Sequence, residues 1–178
     1  MSDARSLLNE AEERLAILKS QGEPAPLAWA LLYLVNANLA RNLGNYPEAQ
    51  TKATLAVQMC RQAGPDGSDY LFTLLLQLGD IAYKNKDSKT ARQQWQELIA
   101  ICDQIPYADN HLRNHYPPAA YERLARASAQ LGQRKEALSF AQRAHQLYAQ
   151  NDLLQKCERV EKLIDQIKTG KNLKSLFD

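Results

Sequence analysis

A chain of 178 residues that is 45% hydrophobic and 24% charged carries enough apolar material for one well-buried domain and is too short for two large ones. Its formal net charge of +2 gives no ground for nucleic acid or an acidic membrane as partner, and no apolar run reaches the ~20 residues of a membrane span, Leu27 to Val35 coming closest. Cys60, Cys102 and Cys157 are odd in number and lack metal-type spacing, which argues against a disulfide framework or a zinc cluster.

The opening Met1-Ser2-Asp3-Ala4-Arg5 leads into charged helix rather than an apolar signal core, so a reducing cytoplasm is the expected setting. Ala4, Leu7, Leu8, Ala11, Leu15 and Leu18 recur at threes and fours, predicting an amphipathic capping helix within 1–22 that ends before Gly22 and Pro24-Ala25-Pro26. Helical hairpins are predicted at about 25–43 with 46–63, then 68–85 with 88–105, separated by Gly64-Pro65-Asp66-Gly67. In the second of them, Lys84-Asn85-Lys86-Asp87-Ser88 is a polar turn with Ser88 or Asp87 available as N-cap. Residues 106–116 read as an irregular loop closed by Pro117-Pro118, which would open a third hairpin at about 117–131 with 134–149. Leu153, Cys157, Val160, Ile164 and Ile167 predict a one-faced capping helix within 151–169, and residues 170–178 read as a flexible tail. No punctuated β-branched runs of strand character occur, so the fold is expected to be all-α.

The hairpins share a pattern. Ala49, Ala91 and Ala137 open the second helix of each and stand 42 and 46 residues apart. With the shorter offset Ala40 falls on Ala82, Val57 on Ile99, Met59 on Ile101 and Cys60 on Cys102. The longer offset carries Thr73–Lys84 onto Ala119–Gln130, and its extra length is assigned to the 106–116 loop. Leu75-x2-Leu78-Gly79-x2-Ala82 followed by Ala91-x3-Trp95 pairs small residues, which let helix backbones approach, with large ones that fill the remaining space. Trp29 and Trp95 are both read as core residues.

On these residues the chain, over roughly 27–150, resembles the tetratricopeptide repeat (TPR) family, whose signature is a large residue, Leu-Gly, an aromatic, then Ala and an aromatic in the second helix, then Pro. Tyr33-x2-Asn36-Ala37-x2-Ala40 and Tyr121-x2-Leu124-Ala125-x2-Ser128 are the weaker copies. Arg61, Asp103 and Ala149 replace the closing proline, and both spacings exceed the family period of about 34. The resemblance implies a right-handed α-solenoid of three TPR-like hairpins spanning 25–150, with flanking capping helices and a concave groove.

Along the first helix of the second hairpin Thr73, Gln77, Asp80 and Lys84 form one polar stripe. Its repeat equivalents are Leu31, Val35, Asn38 and Asn42, then Ala119, Arg123, Arg126 and Gln130. A solvated face is expected of any amphipathic helix. By resemblance, though, this stripe lines the groove, and Asn38, Asn42, Gln77, Asp80, Lys84, Arg123 and Arg126 are the candidate contacts to a peptide or helix of another protein. A clamp for a terminal carboxylate is matched only at Asn38 and Arg123, since Leu34, Gln77 and Ala119 hold its other places. The expected function is therefore a non-catalytic adaptor, scaffold or partner-specific chaperone. A regulatory sensor for a small peptide or metabolite is the alternative, and nucleic acid is a weaker third. No phosphate loop or isolated acid pair suggests an enzyme, and no cofactor is implied. His111-x3-His115 has a metal-compatible spacing, but prolines bracket it and no third ligand is fixed, so no metal is expected.

Overall fold

The computed structural model describes residues 2–23, 25–104 and 110–170, and among them the all-α expectation holds: there are helices and no strand. In chain order these are α1 Ser2–Ser20, α2 Pro26–Asn42, α3 Tyr46–Gln62, a 3-10 turn Gly64–Gly67, α4 Ser68–Lys84, α5 Ser88–Gln104, α6 Asn110–Gln130, α7 Arg134–Gln150 and α8 Leu154–Thr169. The chain divides into two compact units, Met1–Ala91 and Arg92–Asp178. In the first, α2 packs on α1 and on α3, and α3 packs on α4; in the second, α7 packs on α6 and on α8, which also touches α6. None of the helices is long and apolar enough to cross a membrane, among the described residues.

One turn design recurs. Gly44, Lys86 and Gly132 take left-handed backbones, with φ of 77°, 64° and 73°. In each case the next amide reaches back five residues, Asn45 N to Ala40 O, Asp87 N to Ala82 O and Gln133 N to Ser128 O, all at 2.9 Å. The left-handed residue bonds three residues back, Lys86 N to Tyr83 O at 3.0 Å for example, completing a Schellman motif that satisfies the last carbonyls of the helix. These turns keep the spacings of 42 and 46 seen in the alanines. Asp152, φ 55°, makes the same turn between α7 and α8. Each turn runs directly into the next helix, and of the two N-cap candidates in the second hairpin it is Asp87 that accepts from Thr90 N, at 3.1 Å.

Alanine dominates the packed faces. Ala37 and Ala40 of α2 and Ala49, Ala53 and Ala56 of α3 are buried, joined in the first unit by Phe72, Leu75 and Ile81 of α4. In the second unit Ala125, Ala129, Ala137, Ala141 and Ala144 form a small-residue floor that Tyr148, Val160, Leu163 and Ile167 fill. Close approach of helices at alanine, with large residues from the next helix in the gaps, is how such interiors reach crystal-like density.

Two expectations need correction. First, α6 begins at Asn110, not near 117, and Pro117 and Pro118 lie inside it. It is 21 residues long against 17 for α2 and α4, so the four extra residues of the second spacing lengthen a helix. A proline in a helix leaves the carbonyl four residues earlier without its usual donor. Here the carbonyl of Asn114, orphaned by the buried Pro118, accepts from Asn151 Nδ2 at 3.4 Å. Second, Trp95 is 1% exposed as a core residue should be, whereas Trp29 is only half-buried. The last helix lies within the 151–169 expected for it and starts at Leu154, after Asp152 has completed its turn. Residues 106–109 of the expected loop and 171–178 of the expected tail lie outside the described residues.

Candidate functional site

Leu31, Val35, Asn38 and Asn42 recur along α2 at steps of four, three and four, which places them on one face at 3.6 residues per turn. Leu31 and Val35 are 36% and 51% exposed, large apolar side chains left to solvent on a helix that packs against α1 and α3. Asn42, the last residue of α2, is exposed. Asn38 is half-buried, and its Oδ1 is sealed from solvent without a hydrogen-bond partner. On α4, Gln77 is in the same condition: half-buried, with Oε1 sealed and unpaired. Asp80 is half-buried and Lys84 exposed on the same helix.

The contrast with Asn36 is informative. It lies on α2 as well, but its Nδ2 donates to the carbonyl of Leu32 at 3.2 Å, so its amide is engaged by its own helix. A sealed amide oxygen without a donor costs about 1–3 kcal/mol relative to a paired one. Two of them lie on the stripe singled out from the sequence, and because each is closed to water, a donor from another molecule recovers that energy only once the side chain turns outward.

In the second unit the stripe behaves differently. Arg123 Nη1 donates to the carbonyl of Ala119 at 3.1 Å, one turn back on α6. Arg126 Nη2 donates to Glu122 Oε1 at 2.9 Å, and its side chain is only 20% exposed. Glu122, with 5% of its side chain exposed, is the centre of a buried polar cluster. Its other oxygen takes Arg159 Nη2 at 2.5 Å and the Tyr148 hydroxyl at 3.2 Å. Burial first, and then the Glu122 charge, push the Tyr148 hydroxyl well above its ordinary pKa, so it stays protonated as a donor. This arrangement ties α8 to α6 and α7. The two arginines therefore have structural work to do, and the sequence reading missed the acid that holds Arg126. Its one signal is that Glu122 falls where the preceding repeat has Leu76, a carboxylate in an otherwise apolar register.

Sequence reasoning also passed over the opposite side of α2. Trp29 and Tyr33, one turn apart there, stack with ring centroids 5.5 Å apart and line a cavity of about 280 Å³. No family model matches the chain, and no curated protein matches it. No three His, Cys, Asp or Glu side chains come together as a metal site among the described residues. The side chain of His111, one of the two spaced histidines, lies outside them.

Proposed function

We propose that the chain is a non-catalytic protein–protein interaction module, an adaptor, scaffold or partner-specific chaperone of tetratricopeptide type acting in the cytoplasm. In this reading the hairpins stack as a right-handed solenoid and its inner stripe holds a peptide or helix of another protein. The observation that carries it is the exposed apolar pair Leu31 and Val35 on α2, on the same stripe as Asn38 and Gln77, whose amide oxygens take no donor in the folded chain. An apolar side chain of a bound segment would cover Leu31 and Val35, and the two amides, once turned outward, can accept from its backbone N–H groups whatever its sequence. The reading shifts weight away from Arg123 and Arg126 and onto Asn38, Gln77 and the α2 face that carries Leu31 and Val35.

The test is capture of partners from the native cell, identification by mass spectrometry, and titration of peptides drawn from them. Leu31→Glu combined with Val35→Glu alters only exposed positions, so the fold should persist. Loss of partner affinity by about tenfold or more in this variant is expected. Undiminished affinity would remove α2 from the binding surface.

A second reading, a sensor for a small ligand, is favoured by the cavity at Trp29 and Tyr33. It predicts a rise in melting temperature with a small molecule that an adaptor does not require.

A further inference from the structure

The cavity beside α2 is built from side chains of one chemical kind. Trp29 and Tyr33 of α2 supply ring faces, with planes inclined by 32°. Pro26 and Met59 add apolar wall, and Lys19 and Gln62 stand at its edge. No aspartate or glutamate lines it. Lys19, in the last turn of α1, pairs with no carboxylate among the described residues, and the indole N–H of Trp29 has no acceptor there. The carbonyls ending α1 are occupied: Gln21 N bonds Ile17 O at 3.1 Å, Glu23 N bonds Leu18 O at 3.0 Å and Gly22 N bonds Lys19 O at 3.2 Å. The cavity thus presents aromatic faces, a polarisable thioether and an excess of donors over acceptors.

Neighbouring charges do not reverse that balance. Lys52 Nζ lies 5.5 Å from the Tyr33 ring centroid. Burial, and secondarily the Glu12 carboxylate, raise the Tyr33 hydroxyl above its ordinary pKa, so at neutral pH it too is a donor. A volume of about 280 Å³ lies just under the roughly 300 Å³ at which small-molecule sites begin, which limits the occupant to one ring and a short arm.

We propose that this cavity binds a planar aromatic ring carrying a carboxylate on a short arm, the ring against Trp29 and Tyr33 and the carboxylate at Lys19. The same chemistry is presented by a free arylalkanoic acid and by an aromatic residue at the C-terminus of a peptide. The site goes beyond the interaction surface proposed above, because Trp29 and Tyr33 occupy the opposite side of α2 from Leu31, Val35 and Asn38. Leu31→Glu with Val35→Glu leaves it intact, so the two proposals fail separately.

The experiment titrates the full chain with 3-phenylpropionate and with 3-phenylpropionamide, by calorimetry and by tryptophan fluorescence. Phenyl probes add no indole signal, and Trp95 is a buried constant. Saturable binding of the acid, with the amide at least about tenfold weaker, is expected. Lys19→Met, a change at an exposed position, should bring acid and amide to equal affinity, and Trp29→Leu should weaken both. A pentapeptide ending in phenylalanine, with free or amidated C-terminus, identifies the source. Tighter binding of the free-ended peptide than of 3-phenylpropionate assigns a chain terminus, and weaker or equal binding assigns the free acid. Equal affinity of acid and amide for the unaltered chain, an acid preference that survives Lys19→Met, or no saturation by either acid or peptide at about 10 mM would overturn the proposal.

Discussion

Arg92 holds Glu136 through a single guanidinium nitrogen, Nη2, which donates to both carboxylate oxygens at 2.9 and 3.1 Å. Its Nη1 donates to the Ser128 hydroxyl at 3.0 Å and to Gln133 Oε1 at 2.9 Å, so one side chain on α5 spans the end of α6 and the start of α7. Gln50, its equivalent by the 42-residue offset, does the same in the first unit. It donates to Asp87 Oδ2 at 2.8 Å and accepts from Asn85 Nδ2 at 2.7 Å. A position on α3 thus clasps the turn after α4, and the equivalent position on α5 clasps the turn after α6, by amide in one case and by guanidinium in the other. Arg92→Ala strips donors from Ser128 and Glu136 together and should lower stability by about 1–2 kcal/mol, discounted because Glu136 is partly exposed. Arg92→Lys should recover little of this, since an ammonium cannot reproduce the fork. Urea denaturation of the three proteins measures both effects.

The clasps make stability pH-dependent. Hydrogen bonds from Thr90, then from Gln50, hold the Asp87 carboxyl below its ordinary pKa. The hydrogen bond from Arg92, reinforced by Ser128 and opposed by burial, does the same for Glu136. A folded-state pKa below the unfolded one adds stability that is complete above the unfolded value and is lost as pH falls through the folded one. Stability from these groups should therefore be flat from neutrality to about pH 5 and decline below about pH 4. Asp87→Asn and Glu136→Gln should each make the acid limb shallower in a denaturation series across pH. An unchanged acid limb in both would separate the clasps from acid unfolding.

Lys86 occupies a place where the other two hairpins carry glycine. Its φ of 64° costs an L-residue roughly 1–2 kcal/mol, while glycine adds about 0.4–1 kcal/mol of unfolded-state entropy. Lys86→Gly should raise stability by a net ~0.5–1 kcal/mol, visible as a melting temperature higher by a few degrees. Gly44→Ala is the converse test. A Cβ there meets nothing within 4 Å, so its expected loss arises from the backbone alone.

These residues also show what a sequence can disclose. Ala49, Ala91 and Ala137 were visible because close helix packing demands a small residue at a fixed distance from each turn, whereas the left-handed residue of the turn was not, since Lys86 stands at the place held elsewhere by Gly44 and Gly132. The start of α6 was not visible. A proline pair reads locally as a helix beginning, and the bond that lets the helix run through it comes from Asn151, 37 residues from Asn114. The stripe on α2 and α4 followed from spacing alone, which assigns a face but not the state of its amides. Arg126 was legible as a stripe residue, but its partner Glu122 also takes Tyr148 and Arg159, 26 and 37 residues along the chain, beyond any local pattern.

Arg126 consequently acts in the fold, through Glu122, more than in the proposed interaction surface. Arg126→Ala removes one of three partners from a carboxylate with 5% of its side chain exposed, and should cost about 1–3 kcal/mol. Glu122→Gln, paired with this change, should return part of the loss, because a neutral amide needs less compensation in that site. If Arg126→Ala instead leaves the unfolding midpoint unchanged and weakens partner binding, its role lies in the groove after all. Chemical denaturation beside the partner titration distinguishes the two.

Asn38 and Gln77 should respond in the opposite sense. Each presents a sealed oxygen that folding has stripped of water without supplying a donor. An apolar side chain of similar volume removes that cost and adds apolar burial. Asn38→Leu and Gln77→Met should therefore each stabilise the chain by about 1 kcal/mol or more. If the two amides serve a bound segment, the same substitutions should weaken partner affinity by about tenfold each, since the segment then loses its acceptors. Stability gained while binding is lost is a combination that neither a packing residue nor a solvent-facing residue produces. Thermal unfolding and partner titration of both variants, measured side by side, decide it. A loss of stability in both variants would mean that the amides are paired in the folded chain, and their part in the interaction surface would fall.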